Sequence, residues 1–344
     1  MDDIVYERPA ILTHSPVVLT DHHRAAARGT VPLSAELYLP ATTRPPYPAV
    51  VVSEGLGGVK TARERRYGRF LAQNGFAALV VDSFDTRGHK GSPDPLRAIR
   101  VTESMMLADA FTSLEWLAAR HDVDPSRICN IGFSYGGMIS ILTAYEQLRR
   151  HFVDGDARFA AHVSYYGPTV PRLDDHATTG APIAIMNGAL DNNFNSDRAE
   201  LIAGDLRRGG SAVENIVFAD AYHQWDSDDH QRRFDRFSIR RLATRIAPDG
   251  VITDESNGRR IDGFVSRLMM IARAVSLEGF HLRRDEDVLR QSDEILLRYL
   301  SVTTAEAGQA DPVAAAERAG RIPPPEVLRS GTPPPARDTA VAAA

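Results

Sequence analysis

Ser134 lies between two glycines in a Gly-Phe-Ser-Tyr-Gly stretch over residues 132–136. The run over 127–131 is typical of a buried strand, and the run over 137–145 is typical of a helix. A strand, Gly-x-Ser-x-Gly and a helix form the pattern of a nucleophile elbow, whose turn is so tight that glycine is needed on both sides of the serine. The sequence therefore predicts that Ser134 presents a nucleophilic hydroxyl above the edge of a sheet.

A base and an acid must accompany such a serine, because its hydroxyl is a poor nucleophile until a histidine held by a carboxylate takes the proton. After a nucleophile elbow these partners follow in the order acid, then histidine. Asp191 comes just after a strand predicted downstream of the elbow, and His223 comes after the next one. Asp197 and Asp220 are rival acids, and His230 is a rival base farther from its strand. Order and placement favour Asp191 and His223.

Attack by a serine also needs backbone donors aimed at the oxyanion that develops on the substrate. One donor is expected to be the N–H of Tyr135, the residue after the nucleophile. The other should come from the loop over 53–58, Ser-Glu-Gly-Leu-Gly-Gly, whose glycines let the backbone approach a substrate closely. We assign this second donor to Gly55, with Leu56 as the neighbouring alternative.

The elements that must position these residues alternate along the chain. Strands are predicted over 48–53, 76–81, 159–166, 182–187 and 212–218, and helices over 61–74, 96–120, 196–208 and 285–300. Strands that alternate with helices of ten or more residues indicate an α/β fold with a parallel sheet covered on both faces. An opening hairpin is expected from strands over 17–20 and 35–39.

Two regions depart from this alternation. Residues 226–284, called here the inserted segment, are charged and irregular, with a hairpin expected around Pro248-Asp249-Gly250. From Ser301 to the end the sequence is rich in Ala, Pro and small polar residues. A segment without large apolar side chains cannot offset the entropy lost on ordering, so residues 301–344 are predicted to be a disordered tail.

Composition excludes several classes of function. The 344 residues carry a formal net charge of −5 with scattered basic residues, which argues against nucleic-acid binding. One cysteine, Cys129, excludes an internal disulfide and a multi-cysteine metal site, and its place in a strand suggests a small buried hydrophobe. No apolar run approaches the ~20 residues that span a bilayer. The first residues are acidic, unlike a secretory signal, so a cytoplasmic protein without a membrane partner is expected.

The quoted residues resemble the dienelactone hydrolase family of the α/β-hydrolase superfamily. The matching pieces are the loop over 53–58, the stretch over 82–88, the Ser134 elbow, Asp191 and His223. The resemblance implies an α/β-hydrolase fold, with a mostly parallel central sheet, helices on both faces and little or no lid. It also implies that Glu54 contacts the resting nucleophile and that Arg87 binds a substrate carboxylate. Founding members of the family carry cysteine where this chain has Ser134.

On this basis residues 1–300 are predicted to form one α/β-hydrolase domain, with the inserted segment before its closing helix. The serine favours a general hydrolase of small carboxylic esters or lactones that acts through an acyl-enzyme. The expected catalytic triad is Ser134, Asp191 and His223, and the expected oxyanion donors are Gly55 and Tyr135. The residues expected at the substrate are Glu54, Leu56 and Arg87. Two alternatives stay open, namely an acyltransferase that uses the same acyl-enzyme and a non-catalytic pseudo-hydrolase that binds a ligand.

No cofactor and no metal are expected. Asp226, Asp228, Asp229 and His230 lack the spacing of a zinc site or an EF-hand and are interpreted as a solvated acidic loop. The His22-His23 pair is interpreted as a surface feature. The expected partner is a small-molecule ester or lactone, and a homodimer contact, if there is one, is expected in the segment after Asp226.

Overall fold

The computed structural model describes residues 4–41, 43–274 and 279–301. In chain order the strands are β1 (Ile4–Glu7), β2 (Leu12–Thr13), β3 (Val31–Pro32), β4 (Ala35–Pro40), β5 (Tyr47–Ser53), β6 (Ala77–Val81), β7 (Val123–Phe133), β8 (His162–Tyr165), β9 (Pro171–Leu173), β10 (Ile183–Gly188), β11 (Val213–Phe218), β12 (Arg233–Asp235), β13 (Thr244–Ile246), β14 (Ile252–Asp254) and β15 (Phe280–Leu282). The α-helices are α1 (His22–Arg28), α2 (Glu64–Gln73), α3 (Ser83–Thr86), α4 (Asp94–Arg100), α5 (Glu103–Ala118), α6 (Tyr135–Leu142), α7 (Glu146–Phe152), α8 (Ser196–Arg208), α9 (Phe264–Ala274) and α10 (Glu286–Ser301).

The central sheet has eight strands in the order β1-β4-β6-β5-β7-β8-β10-β11. Strand β4 runs antiparallel to both of its neighbours, and every pairing from β6 to β11 is parallel. The mostly parallel α/β sheet predicted from the sequence is therefore confirmed. The parallel strands end at a common edge, which is where reaction sites gather in open α/β sheets.

The sheet has a hydrophobic core on each face because successive side chains of a strand point to opposite sides. In β5, Ala49 and Val51 join the core that includes α5 and α6, whereas Val50 and Val52 join the core that includes α2 and α10. All four side chains are fully buried. This two-sided burial explains the continuous β-branched run that marks β5 in the sequence.

The opening hairpin predicted from the sequence is wrong. Strand β4 forms, but it pairs with β1, and residues 17–20 contain no strand. A 3-10 helix, Leu19–Asp21, starts there instead, and the Asp21 N–H donates to the Val18 carbonyl at 3.0 Å. This turn leads directly into α1, so the short apolar run ends in a helix entry.

The long helix predicted over 96–120 is two helices, α4 and α5. The chain is extended at Thr102 (ψ 164°), and the Thr102 hydroxyl accepts the N–H of Met105 at 3.3 Å. A threonine that caps a new helix in this way competes with continuation of the preceding one. The break places Glu103 at the first turn of α5.

The inserted segment is folded onto the domain. Strands β13 and β14 form the hairpin expected around Pro248-Asp249-Gly250, with Gly250 at a φ of +82°, and β13 also pairs with β9. Strands β12 and β15 pair with each other. The predicted closing helix is α10. The tail was predicted over 301–344; Ser301 is instead the last residue of α10, and residues 302–344 lie outside the described residues. No helix in the described part of the chain combines the length and the apolar character that crossing a membrane requires.

His22 is not on the surface as the sequence suggested, since only 8% of it is exposed. Its ring lies 4.6–5.0 Å from the rings of His14, His23, His151 and Phe152, measured between centroids, and its Nδ1 is 2.8 Å from Nε2 of His14. Burial and the neighbouring histidines lower the pKa of His22 to about 4. These rings come from distant parts of the chain, so no local sequence pattern predicts that they cluster.

Candidate active site

The predicted elbow is present between β7 and α6. Ser134 occupies the left-handed half of backbone space, with φ 51° and ψ −114°. A Cβ atom on Gly132 would lie 2.0 Å from the Gly136 carbonyl oxygen, and one on Gly136 would lie 2.2 Å from the Ser53 carbonyl oxygen. Both glycines are therefore required by close backbone contacts. The strained serine conformation costs about 1–3 kcal/mol and persists because the surroundings hold it.

The structure brings Ser134, His223 and Asp191 into one hydrogen-bonded chain. Ser134 Oγ lies 3.0 Å from His223 Nε2, and His223 Nδ1 lies 2.6 Å from Asp191 Oδ2. The other oxygen of Asp191 accepts the N–H of Asn193 at 2.7 Å. All three side chains are buried. Because a histidine held by a carboxylate at one nitrogen presents the other to the serine, this arrangement suits proton transfer from Ser134.

The rival residues are not part of this chain of contacts. Asp197, Asp220 and His230 are all exposed. None of the hydrogen bonds among the described residues joins any of them to Ser134 or His223.

One of the two assigned oxyanion donors has to be corrected. The N–H of Gly55 donates to Oε1 of Glu64 at 3.1 Å, so it is not free for a substrate. The N–H of Leu56, the neighbouring alternative, makes none of the hydrogen bonds found among the described residues, and Leu56 lines the cavity on Ser134. Tyr135 is the first residue of α6, and its N–H therefore has no acceptor within the helix. The available pair of donors is Leu56 and Tyr135.

Glu64 holds the loop that carries Leu56. Its Oε1 also accepts Arg63 Nε at 2.8 Å, and its Oε2 accepts the N–H of Lys60 at 2.9 Å. Both Arg63 and Glu64 are completely buried. Sequence reasoning missed this pair because Thr-Ala-Arg-Glu-Arg-Arg reads as a solvated helix start.

The inserted segment supplies much of the wall of the cavity on Ser134, which measures about 50 Å³. Its contributions are Arg233, Asp235, Phe237, Ile239, Phe280 and Leu282. The resemblance implied little or no lid, and the sequence did not predict that the inserted segment would form this wall. Lys60 and Asp94, two titratable residues outside the inserted segment, also line the cavity. Burial lowers the pKa of Lys60 and raises that of Asp94, so both groups are drawn toward their neutral forms.

The loop that follows β11 and carries His223, called here the histidine loop, is held through its backbone by β15 and the residue after it. The N–H of His223 donates to the His281 carbonyl at 3.2 Å, and the N–H of Arg283 donates to the His223 carbonyl at 3.3 Å. The rings of Tyr166 and Phe280 lie 4.7 and 4.9 Å from the imidazole, measured between centroids. The imidazole is thus fixed by its hydrogen bonds and by the two aromatic rings.

Comparison with known proteins identifies the family. The model of the dienelactone hydrolase family matches residues 33–244, which is more than half of the chain. This chain belongs to the dienelactone hydrolase family. It is accordingly a carboxylic ester hydrolase with the α/β-hydrolase fold.

Individual relatives of this dienelactone hydrolase family member are distant. It is 28% identical over 190 residues to an Escherichia coli O157:H7 protein provisionally named carboxymethylenebutenolidase, covering 53% of this chain and 69% of that protein. It is 29% identical over 169 residues to an uncharacterized Mycobacterium tuberculosis protein, covering 45% of this chain and 56% of that one. A Klebsiella pneumoniae structure, provisionally named dienelactone hydrolase, has the same fold, with a TM-score of 0.51, 24% identity, and 64% and 88% of the two chains covered.

In this family member the hydrogen bonds of the Glu54 carboxyl go to α3 and not to the nucleophile. Glu54 is fully buried, and its Oε1 accepts the N–H groups of Ser83 at 2.7 Å and Phe84 at 3.4 Å, at the start of α3. Among the described residues no hydrogen bond joins Glu54 to Ser134. Burial, and then the nearby charge of Asp82, raise the pKa of Glu54 well above its usual range. Glu54 ties the loop over 53–58 to the start of α3, and it is not among the residues that line the cavity on Ser134.

Arg87 is also placed away from the cavity. Its guanidinium donates to both oxygens of Asp109, at 2.7 and 3.0 Å, and to the carbonyls of His14 and Ser83 at 3.1 Å each. These contacts tie α3 to α5 and to the N-terminal segment. A guanidinium engaged in this way is not available to a substrate carboxylate, so the role implied by the family resemblance does not fit this placement.

The acidic stretch after His223 does not converge on a cation. Asp226 is buried and accepts the Tyr166 hydroxyl at 2.5 Å, whereas Asp228 and His230 are exposed. Within residues 4–41, 43–274 and 279–301, no group of three or more His, Cys, Asp or Glu side chains could hold a metal ion.

Proposed function

We propose that this chain is a serine hydrolase that cleaves small carboxylic esters or lactones through a covalent acyl-enzyme. The observation that carries the proposal is the hydrogen-bonded chain from Ser134 through His223 to Asp191, at 3.0 and 2.6 Å. A nucleophile, a base in contact with it and a group that orients the base are the arrangement that acyl transfer needs.

Each step has a group in place. Ser134 Oγ attacks the carbonyl carbon as His223 Nε2 takes its proton, and Asp191 holds the imidazolium that forms. The N–H groups of Leu56 and Tyr135 stabilise the oxyanion. His223 then protonates the leaving oxygen, and a water activated by the same nitrogen releases the acid and restores Ser134. Apart from the substrate and this water, each step named here is carried by a side chain or backbone group of this chain.

Two features favour a small ester or lactone. The cavity on Ser134 is narrow, with Leu56, Phe237 and Phe280 among its walls. The Escherichia coli relative carries the name of a lactone-cleaving enzyme, carboxymethylenebutenolidase. Because this chain has serine at the nucleophile position, we extend the proposal from lactones to simple esters.

The test is a panel of p-nitrophenyl esters of increasing acyl length together with five- and six-membered lactones. We expect turnover of short acyl groups, and Ser134→Ala should lower kcat by at least about 10³-fold. Ser140→Ala is the matched control, because Ser140 is a buried serine of α6, the helix that follows Ser134, and its hydroxyl donates to the Asn130 carbonyl. A fluorophosphonate probe should label the wild-type chain and Ser140→Ala, but not Ser134→Ala.

Full activity in Ser134→Ala would refute the mechanism. Product partition toward an added alcohol would indicate the acyltransferase alternative, and an unlabelled wild-type chain would indicate the pseudo-hydrolase. The cytoplasmic location and the homodimer stay predictions.

A further inference from the structure

A buried side chain of the inserted segment, Arg267 of α9, is hydrogen-bonded to the elbow. Its Nη2 donates to the hydroxyl of Tyr135 at 2.7 Å. The guanidinium also donates to both oxygens of Glu103, at 2.5 and 3.0 Å, and its Nε donates to the Ala98 carbonyl at 2.7 Å. Arg267 therefore joins the inserted segment to α4, to α5 and to the residue that follows the nucleophile.

The hydroxyl of Tyr135 is fixed from two sides. It accepts from Arg267 and donates to Oε1 of Glu103 at 2.9 Å, and the whole residue is buried. Glu103 begins α5 and Arg267 lies in α9, so the far end of the Tyr135 side chain is held by two different elements. A phenol with one donor and one acceptor in place has little freedom to turn.

The backbone of Tyr135 is the part that would act in catalysis. Its N–H is one of the two proposed oxyanion donors, and it directly follows Ser134, whose φ of 51° is unfavourable for a non-glycine residue. Oxyanion donors must lie within about 0.5 Å of the productive position. An anchor at the end of a buried ring limits how far the Tyr135 backbone can shift.

We propose that Arg267 is a positioning residue that holds the Tyr135 oxyanion donor in place through the Tyr135 hydroxyl. The proposal rests on the proposed function, because it needs Ser134 to form an oxyanion. It gives the inserted segment a part in the chemistry of the elbow that is separate from lining the cavity.

Three variants test the link. Tyr135→Phe removes the hydroxyl and leaves the Arg267–Glu103 ion pair intact, Arg267→Met removes the anchor, and Arg267→Lys keeps the charge without the forked geometry. Arg149→Met is the matched control, because Arg149 is a similarly buried arginine that pairs with both oxygens of Glu146 and donates to a backbone carbonyl away from the elbow.

The measurements are kcat and KM on the best ester of the panel, and the affinity for a trifluoromethyl ketone, whose adduct with the serine carries an oxyanion. Loss of a whole oxyanion donor costs about 10²–10³-fold in kcat, so a displaced one should cost about 10–100-fold. We expect Tyr135→Phe and Arg267→Met to lose kcat and ketone affinity by this factor with KM within about twofold, and Arg267→Lys to recover part. Arg149→Met should keep wild-type kcat.

A wild-type kcat in folded Tyr135→Phe would overturn the proposal, and so would a loss confined to KM. Tyr135→Phe and Arg267→Lys decide the matter if Arg267→Met does not fold. Absence of Ser134-dependent turnover in the wild type would be a failure of the proposed function instead. Amide hydrogen exchange over residues 132–138 then decides the positioning, since it should be faster in Tyr135→Phe and Arg267→Met than in Arg149→Met, and equal rates would refute it.

Discussion

The buried ion pair of Arg63 and Glu64 supports the oxyanion loop, and Glu64→Gln should therefore destabilise the protein. Glu64 accepts three donors, namely the N–H groups of Gly55 and Lys60 and Nε of Arg63, at 2.8–3.1 Å. Neither charged side chain is exposed. Glutamine keeps the shape of the side chain, but it removes the charge and turns one acceptor oxygen into an NH₂ donor that faces a backbone N–H.

The expected loss of stability in Glu64→Gln depends on the charge of Arg63, which stays buried. Removing one partner of a buried ion pair costs about 3–5 kcal/mol, because the other charge stays buried. Burial lowers the pKa of Arg63, whereas Glu64, then Tyr166 and Asp226, raise it. Asp226 stays in place when Glu64 is replaced and offsets part of the loss, so we expect the lower end, about 3 kcal/mol. With an unfolding entropy of about 0.6 kcal/mol/K for a domain of about 300 residues, the Tm should fall by about 5 °C.

The assay compares thermal and urea unfolding of the wild type, Glu64→Gln and two further variants. Glu200→Gln breaks an exposed ion pair with Arg207 and should change stability by less than about 1 kcal/mol. The double variant Arg63→Met with Glu64→Gln removes the stranded charge and should be more stable than Glu64→Gln alone. A Tm for Glu64→Gln within 1 °C of the wild type, or a double variant less stable than the single one, would refute the reasoning.

Two further predictions concern the triad and the buried histidines. Asp191→Asn should lower kcat by about 10⁴-fold with little change in KM, because the amide favours the wrong tautomer of His223. Asp220→Asn changes an exposed residue and should leave kcat unchanged. Equal effects of the two variants in steady-state kinetics would contradict the assignment of Asp191 as the acid. In the folded protein the pKa of buried His22 is about 4, below its value in the unfolded chain. The unfolded state therefore binds more protons between about pH 6.5 and 4. The free energy of unfolding should fall as the pH drops through that window. Urea unfolding at several pH values should show a smaller fall in His22→Gln, and parallel curves for the two proteins would exclude this origin.

Features with a local cause were predictable from the sequence. Helix α8 has the predicted bounds because Asn195 caps it, accepting the N–H of Arg198 at 3.1 Å, and Gly209-Gly210 ends it. Ser134 could be recognised because the elbow imposes glycine on its own neighbours. Asp191 and His223 could be found because each follows a strand of a sheet whose carboxyl ends share one edge.

Features that depend on partners distant in the sequence were not predictable. The sequence favoured Gly55 over Leu56 as the donor, but Glu64, nine residues away, accepts the Gly55 N–H. For Arg87 the family resemblance implied a substrate carboxylate, with pairing to a carboxylate of the chain as the alternative, and its partner is Asp109, 22 residues away. In both cases the residue type was read correctly, and its role was decided by a buried opposite group that only the folded chain brings near.

The pairing of β15 with the histidine loop joins the wall of the cavity to the general base, His223, through the backbone. Leu282 lines the cavity and forms a parallel bridge with His223, so a displacement of β15 also pulls on the imidazole. A chain trimmed of its inserted segment would keep Ser134 directly after β7, but His223 would lose its backbone partners His281 and Arg283. The general base therefore depends on the inserted segment for its backbone position, whereas Ser134 and Asp191 hold its ring.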